Sequence, residues 1–149
     1  EAFWIATNQP EAEFFPYFDA IDIYTPLAPT ETAMEQYTRI RAAVDTYNSS
    51  EAGIASPCRW HGTVMPGFED RLMPERLVRD DYAHFRYRQG GHYYWETFAA
   101  AMASRAEWLH VTSFNELPEH SFIEDSLEYG DQYLRMTAEF VEHFKNCAC

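Results

Sequence analysis

Two glutamates three positions apart, Glu116 and Glu119, directly follow the segment from Trp108 to Phe114. That segment is apolar, aromatic and β-branched, and it predicts a strand. Two carboxyl groups held close together can cleave a glycosidic bond, because one protonates the leaving oxygen while the other acts as base or nucleophile. Retaining enzymes hold these groups about 5–5.5 Å apart. A separation of three residues fits that distance without requiring it.

A non-catalytic interpretation must be weighed against this chemistry. Acidic residues after a strand often cap the next helix or face solvent. The chain is also acidic throughout, with 24 Asp and Glu against 11 Lys and Arg. Spacing alone therefore leaves both interpretations open, and the surrounding elements must decide between them.

Composition limits the class of protein. The 149 residues, 46% of them hydrophobic and 17% aromatic, are enough for one domain with a sizeable core. The formal net charge of -13 would repel a phosphate backbone, so nucleic acid is not expected as a partner. No apolar run is long enough to predict a membrane span. The first residues lack the features of a signal peptide, and without an initiator Met the sequence is expected to be processed or partial.

Hydrophobic periodicity and breaker residues divide the chain into alternating strands and helices. The predicted strands are 18–24, a weaker one beginning at 53–56, 108–114, and one within 3–7. The predicted helices are 32–47, with Thr30 or Thr32 as N-cap, 92–105, and a last helix after Gly130. The segment 57–75 is rich in Pro, Gly, aromatic and charged residues, and it predicts a long functional loop.

This alternation predicts an α/β fold, a parallel sheet covered by helices. Three or four strands make a small open sheet or half of an eight-stranded barrel, since a full barrel needs about 250 residues. In both architectures functional residues gather at the carboxyl ends of the strands, where Asn115, Glu116 and Glu119 fall. Pro118 disfavours helical geometry at Leu117, so we expect an irregular turn there.

Several motifs resemble glycoside hydrolase family 99, the endo-α-mannosidases and their WbsX-like relatives. SFNELPE (113–119), followed by Ile123-Glu124, resembles the family's strand that runs into SFNEWxEGT and then Ile-Glu. PGFEDR (66–71) resembles its Pro-Gly-Tyr-Asp-Asp loop, and GHYY (91–94) its Gly-x-Tyr-Tyr helix start. FDA (18–20) with Tyr24 resembles its Phe-Asp-Gly and tyrosine. The motifs occur in the family's order between residues 18 and 134.

The resemblance implies that residues 1–149 form a single partial domain, the carboxyl-terminal half of a (β/α)8 TIM barrel, with 108–114 as the eighth strand. The remainder of the barrel is expected as preceding sequence or as a second chain. The implied function is retaining hydrolysis of α-mannoside-containing glycans. Glu116 would be the base on the sugar 2-hydroxyl, giving a 1,2-anhydro sugar. Glu119 would be the acid and then the base that activates water. No metal or cofactor is expected.

Other side chains are predicted to bind the sugar. Asn115 would orient the glutamates, and the charge of His120 could tune Glu119. The remaining predicted substrate contacts are Tyr93, Tyr94, Trp60 and Asp70.

Two departures from the family pattern leave a second function open. Leu117-Pro118 replaces Trp-x, which removes an aromatic wall, and His120-Ser121 replaces Gly-Thr, which removes backbone freedom. The alternative is a barrel without turnover that serves as a glycan-binding or structural part of an extracellular assembly.

The remaining motifs are weaker. Cys58, Cys147 and Cys149 form no CxxC pair, and their odd number means that at least one is free or pairs outside the chain. The sequon at Asn48 slightly favours a secretory, Golgi-luminal or extracellular location. The histidines lack zinc-binding spacing, and His110 is predicted to be a hydrogen-bonded structural residue. The predicted salt-bridged surface comprises Arg76, Arg79, Asp80, Asp81, Arg86 and Arg88.

Overall fold

The computed structural model describes residues 2–8, 11–26, 31–70 and 85–147. The strands are β1 (Ile5–Thr7), β2 (Ala20–Asp22), β3 (Arg59–Val64), β4 (Phe68–Glu69), β5 (Phe85–Arg86) and β6 (Trp108–Val111). The helices are α1 (Ala33–Asn48), α2 (Glu51–Ala55), α3 (His92–Ala103) and α4 (Gln132–Cys147), with short 3-10 helices at Phe15–Tyr17 and Gln89–Gly91.

Four strands form a parallel sheet in the order β1-β2-β3-β6. Helices α1 and α2 connect β2 to β3, helix α3 lies between β3 and β6, and α4 follows β6. Strands β4 and β5 form a separate antiparallel pair. The predicted parallel sheet with alternating helices is confirmed, and its strands all point their carboxyl ends to one edge.

Local signals in the sequence position two of the helices. Thr32 caps α1 with a capping box, because its Oγ1 accepts from the Glu35 amide at 3.2 Å while its own amide donates to the Glu35 carboxylate at 2.8 Å. Helix α3 begins after Gly91, whose φ of 101° is a conformation that glycine adopts without strain. The helices predicted at 32–47 and 92–105 and after Gly130 are confirmed.

The prediction for residues 53–75 was wrong in two places. The weak strand at 53–56 is instead part of helix α2, whose first turn is capped by the Ser50 hydroxyl accepting from the Gly53 amide at 3.2 Å. The third strand of the sheet, β3, lies within the segment predicted as a loop. The segment of β3 is flanked by Pro57 and Pro66 and contains Gly62, and these breaker residues are the reason that its composition predicted a loop.

The two faces of the sheet differ in character. On the helix side, Trp60 packs against Tyr37 of α1 with ring centroids 5.2 Å apart. Gly62 lets α3 approach closely, because a Cβ there would lie 2.6 Å from the Cβ of Ala101. On the other face, His61 stacks on Trp108 at 4.6 Å. This alternation along β3 separates an apolar core from a polar face of the sheet.

The sequon asparagine has a structural role. The Asn48 side-chain amide donates to the Cys58 carbonyl at 2.8 Å, and its oxygen accepts from the Cys58 amide at 2.9 Å. These bonds use both ends of the amide to join the end of α1 to the start of β3.

Other sequence features have mixed outcomes. Cys58 is buried and Cys147 is exposed, and both are free thiols. Within the described ranges, no helix is long and apolar enough to cross a membrane. Several residues of predicted motifs or surfaces lie outside the described residues: Thr30, Arg71, Arg76, Arg79, Asp80, Asp81, His84 and Cys149.

Candidate active site

The predicted catalytic glutamates lie on a closed turn at the carboxyl end of β6. The Ser113 amide donates to the Ser121 carbonyl at 2.7 Å, and the Ile123 amide donates back to the Ser113 carbonyl at 3.0 Å. The Glu116 amide donates to the Ser113 hydroxyl at 2.9 Å. Residues 117–120 form an irregular turn, as Pro118 predicts. Glu116 thus directly precedes the turn and Glu119 lies within it, and backbone hydrogen bonds tie together the two ends of the segment that carries both residues.

A second strand pair supports this turn. The amide of Glu69 in β4 donates to the carbonyl of Glu119 at 2.8 Å. Asp70, a predicted substrate contact, is the next residue along the chain and is buried. The motif PGFEDR therefore meets the motif SFNELPE in space through a backbone hydrogen bond.

Arg88 anchors the other end of the turn. Its Nη2 donates to the carbonyls of His120 at 2.9 Å and Phe122 at 2.8 Å. The guanidinium is 7% exposed and lies over three aromatic rings at 4.3–4.6 Å, those of Phe122, Tyr129 and Tyr133. The prediction that Arg88 belongs to a solvated surface was wrong, because these rings enclose its charge.

Tyr24 lies near both glutamates. Burial raises the pKa of its phenol, and the negative charges of Glu119 and Glu116 raise it further. Both carboxylates are therefore close enough to act electrostatically on one hydroxyl group. The Tyr24 backbone is held by its amide, which donates to the Asn8 side chain at 2.8 Å. The sequence motif FDA with its following tyrosine was the only signal that pointed to this residue.

On the polar face of the sheet, next to Tyr24, a histidine and an aspartate are hydrogen-bonded to each other. Nδ1 of His110 donates to Oδ2 of Asp22 at 3.1 Å, which confirms the predicted hydrogen-bonded histidine. A hollow of about 340 Å³ adjoins this pair and His61. Burial lowers the pKa of His61, since its charged form is poorly solvated there. The sequence did not single out Asp22 or its contact with His110.

Two predicted sugar contacts lie away from the turn. Trp60 is fully buried, and its indole Nε1 donates to the Ser104 hydroxyl at 2.9 Å. Tyr94 is also fully buried, and its hydroxyl shares a hydrogen bond of 2.7 Å with that of Thr137. Both rings lie between the sheet and the helices. Their burial overturns the expectation that they offer a stacking face or a hydroxyl to a sugar, because neither ring reaches solvent.

The contacts of Tyr93, a third predicted sugar contact, are also made away from the turn. Its ring packs with Met65 and Phe68 in a small second core, and its hydroxyl donates to the Pro26 carbonyl at 3.1 Å. Burial raises its pKa to about 12. Asn115 and His120, by contrast, lie on the same turn as the glutamates.

The departures from the family motif are visible in the backbone and at the surface. His120, where the family has glycine, adopts a φ of 49°, in the left-handed region. This conformation costs a non-glycine residue about 1–2 kcal/mol. Leu117, where the family has tryptophan, is 51% exposed. Within the described part of the chain, no group of three His, Cys, Asp or Glu side chains could hold a metal ion.

No protein-family model and no curated protein sequence matches the chain. Solved structures do match it. A GH99 endo-α-mannosidase from Bacteroides thetaiotaomicron superposes with a TM-score of 0.76 at 23% identity, over 100% of this chain and 46% of that one. The chain has the fold of about half of a family 99 glycoside hydrolase.

Two further structures agree with this family 99 fold. A GH99 endo-α-mannosidase from the same organism, in complex with bis-tris-propane, gives a TM-score of 0.75 at 23% identity, over 99% of this chain and 48% of that one. A glycoside hydrolase-like protein superposes with a TM-score of 0.59 at 16% identity, over 91% of this chain and 42% of that one. The chain thus spans less than half the length of these proteins. The predicted fold class, half of a TIM barrel, is confirmed, and the resemblance to family 99 holds at the level of the fold.

Proposed function

We propose that this chain is the carboxyl-terminal half of a retaining glycoside hydrolase barrel that acts on α-mannoside-containing glycans. The observation that carries the proposal is the placement of Glu116 and Glu119 on one segment at the carboxyl end of β6, closed by the backbone hydrogen bonds of Ser113 with Ser121 and Ile123. Two carboxylates on one turn at the carboxyl edge of a parallel sheet are the arrangement that the sequence motif predicts. The Bacteroides structure that shares this fold is an endo-α-mannosidase.

The proposed reaction has two steps that conserve protons. Glu116 takes the proton of the sugar 2-hydroxyl, whose oxygen attacks the anomeric carbon while Glu119 protonates the departing glycosidic oxygen. The product of this step is a 1,2-anhydro sugar. Glu119 then takes a proton from water, whose oxygen attacks the anomeric carbon. The bond between that carbon and the 2-oxygen breaks, and Glu116 returns its proton to the 2-oxygen. The hydroxyl of Tyr24 is neutral near pH 7, as the phenol of tyrosine ordinarily is, so it can donate a hydrogen bond beside the glutamates.

The rest of the barrel belongs to the same proposal. Strands β1 and β6 are the outer strands of the sheet, and no described strand pairs with their outer edges. Open edges of this kind are usually paired or covered in native proteins. We propose that residues 1–149 form one partial domain, completed by preceding sequence or by a second chain. A secretory or extracellular location is proposed only on the basis of the glycan substrate.

A barrel without turnover is the second candidate. The exposed Leu117 in place of an aromatic wall, and the left-handed backbone at His120, favour it. Such a protein would bind glycans or serve as a structural part of an extracellular assembly.

One experiment separates these functions. The release of reducing sugar from α-mannosides is measured for the complete protein, for Glu119→Gln and for Glu139→Gln, which neutralises an exposed glutamate on α4. Loss of an acid-base group typically lowers the rate by about 10²- to 10⁴-fold, so Glu119→Gln should lose activity by that factor while Glu139→Gln keeps it. Equal rates would remove Glu119 from the mechanism. Mannoside binding by calorimetry without release of sugar would favour the second function.

A further inference from the structure

A chain of contacts leads from the polar face of the sheet to the proposed catalytic turn. Asp22, on β2, and His110, on β6, are hydrogen-bonded at 3.1 Å although β3 lies between their strands. The His110 ring in turn meets the Tyr24 ring edge-on, with centroids 5.8 Å apart at an interplanar angle of 63°. Tyr24 is the phenol that both glutamates influence.

Asp22 depends on His110. The carboxylate is 4% exposed, and within the described residues its Oδ1 has no hydrogen-bond partner. A buried carboxylate without partners is costly, so the bond to His110 must hold in the folded protein. The same bond fixes the orientation of an imidazole whose side chain is 39% exposed and would otherwise be free to rotate.

The fixed imidazole of His110 contacts the ring of Tyr24 and can therefore set the direction of that side chain. Tyr24 lies two residues beyond the end of β2, and its backbone is already held by Asn8. The side chain still needs a neighbour that sets its direction, and the edge-on contact of His110 supplies one. His110 lies on β6, the strand whose carboxyl end carries the glutamates, so one strand supports both the tyrosine and the carboxylates.

We propose that His110, fixed by Asp22, is a positioning residue that sets the direction of the Tyr24 ring near Glu116 and Glu119. The inference rests on the proposed function, because it assigns His110 to the same site. His110 acts through Tyr24 and does not touch the sugar. Misplacement of a group at the site by about 1 Å can cost about 10²-fold in rate.

The kinetic test compares variants of the complete protein. His110→Ala should lower kcat by about 10- to 100-fold with less than about a threefold change in KM, because positioning affects the transition state more than substrate binding. The matched control is His92→Ala, which removes a histidine that pairs with Glu96 at 3.4 Å on the exposed side of α3. This control should keep wild-type kinetics.

A second pair of variants distinguishes the loss of positioning from a folding defect caused by the unpaired Asp22 carboxylate. Asp22→Asn/His110→Phe removes the buried charge and keeps a ring beside Tyr24, whereas Asp22→Asn/His110→Ala removes the ring as well. The first should keep kcat within about threefold of Asp22→Asn, and the second should fall by at least about tenfold. Equal kcat values for the two double variants would overturn the proposal.

A readout without turnover separates this inference from the proposed function. The ¹³Cζ resonance of Tyr24, assigned with Tyr24→Phe, should move when Glu116→Gln/Glu119→Gln removes both negative charges. In Asp22→Asn/His110→Ala this movement should fall to less than about half. An unchanged movement overturns the positioning role whether or not sugar is released. A wild-type protein that releases no sugar, but shows the reduced movement in the variant, contradicts only the proposed function.

Discussion

Replacing Arg88 by methionine tests how the proposed catalytic turn is held. The guanidinium donates to the carbonyls of His120 and Phe122 and lies within 4.6 Å of three ring centroids. Methionine has a similar length and packs well against aromatic rings, so Arg88→Met removes the charge and the two hydrogen bonds while largely filling the same space.

The expected cost follows from three contributions. Each carbonyl left without a partner costs about 1–3 kcal/mol when buried. A desolvated cation–π contact contributes about 2 kcal/mol. Opposing these, Nε and Nη1 of Arg88 are buried without hydrogen-bond partners in the described residues, and burying such a charge costs several kcal/mol. We expect Arg88→Met to lower the free energy of unfolding by about 2–3 kcal/mol. The change is a loss because the two carbonyls without partners and the lost cation–π contacts together outweigh the relief of no longer burying the charge.

Urea unfolding of the complete protein measures this loss, as a lower midpoint at constant slope. The matched control is Arg105→Met, which breaks an exposed ion pair with Asp45 at 2.6 Å and should cost less than about 1 kcal/mol. Amide exchange should also quicken at Ser113 and Ile123, which close the turn. If Arg88→Met were as stable as the wild type, or more so, the burial cost of the charge would outweigh its contacts and the reasoning would be refuted.

Three further predictions concern packing and titration. Gly62→Ala should destabilise the protein by about 1–3 kcal/mol, and Ala101→Gly in the same chain should restore part of this loss, as measured by urea unfolding. Burial raises the pKa of Cys58 to about 11, so at pH 8 a thiol reagent should modify Cys147 well before Cys58, as peptide mapping by mass spectrometry would show. Burial also raises the pKa of Tyr94 to about 12, above its unfolded value of about 10. Its stabilising contribution is therefore complete below about pH 10 and lost as the pH rises through about 12, so Tyr94→Phe should flatten the alkaline loss of stability seen by circular dichroism.

The sequence by itself determined the elements that depend on local signals. The capping box of Thr32 and Glu35 begins α1, and Gly91 precedes α3. The strand before the glutamates and the irregular turn at Pro118 were also readable, because periodicity, capping and proline stereochemistry act over a few residues. The motif resemblance added the fold class, since it covers landmarks distributed along the chain.

The tertiary structure alone decided which side chains meet. Strand β3 escaped prediction because prolines and glycines surround it in the sequence, and the side of the sheet that Trp60 faces depends on its pairing with β2 and β6. The bond between Asp22 and His110 joins residues 88 positions apart across an intervening strand. Strand register and the direction of each side chain come from pairing between distant segments, so no local pattern in the sequence contains them.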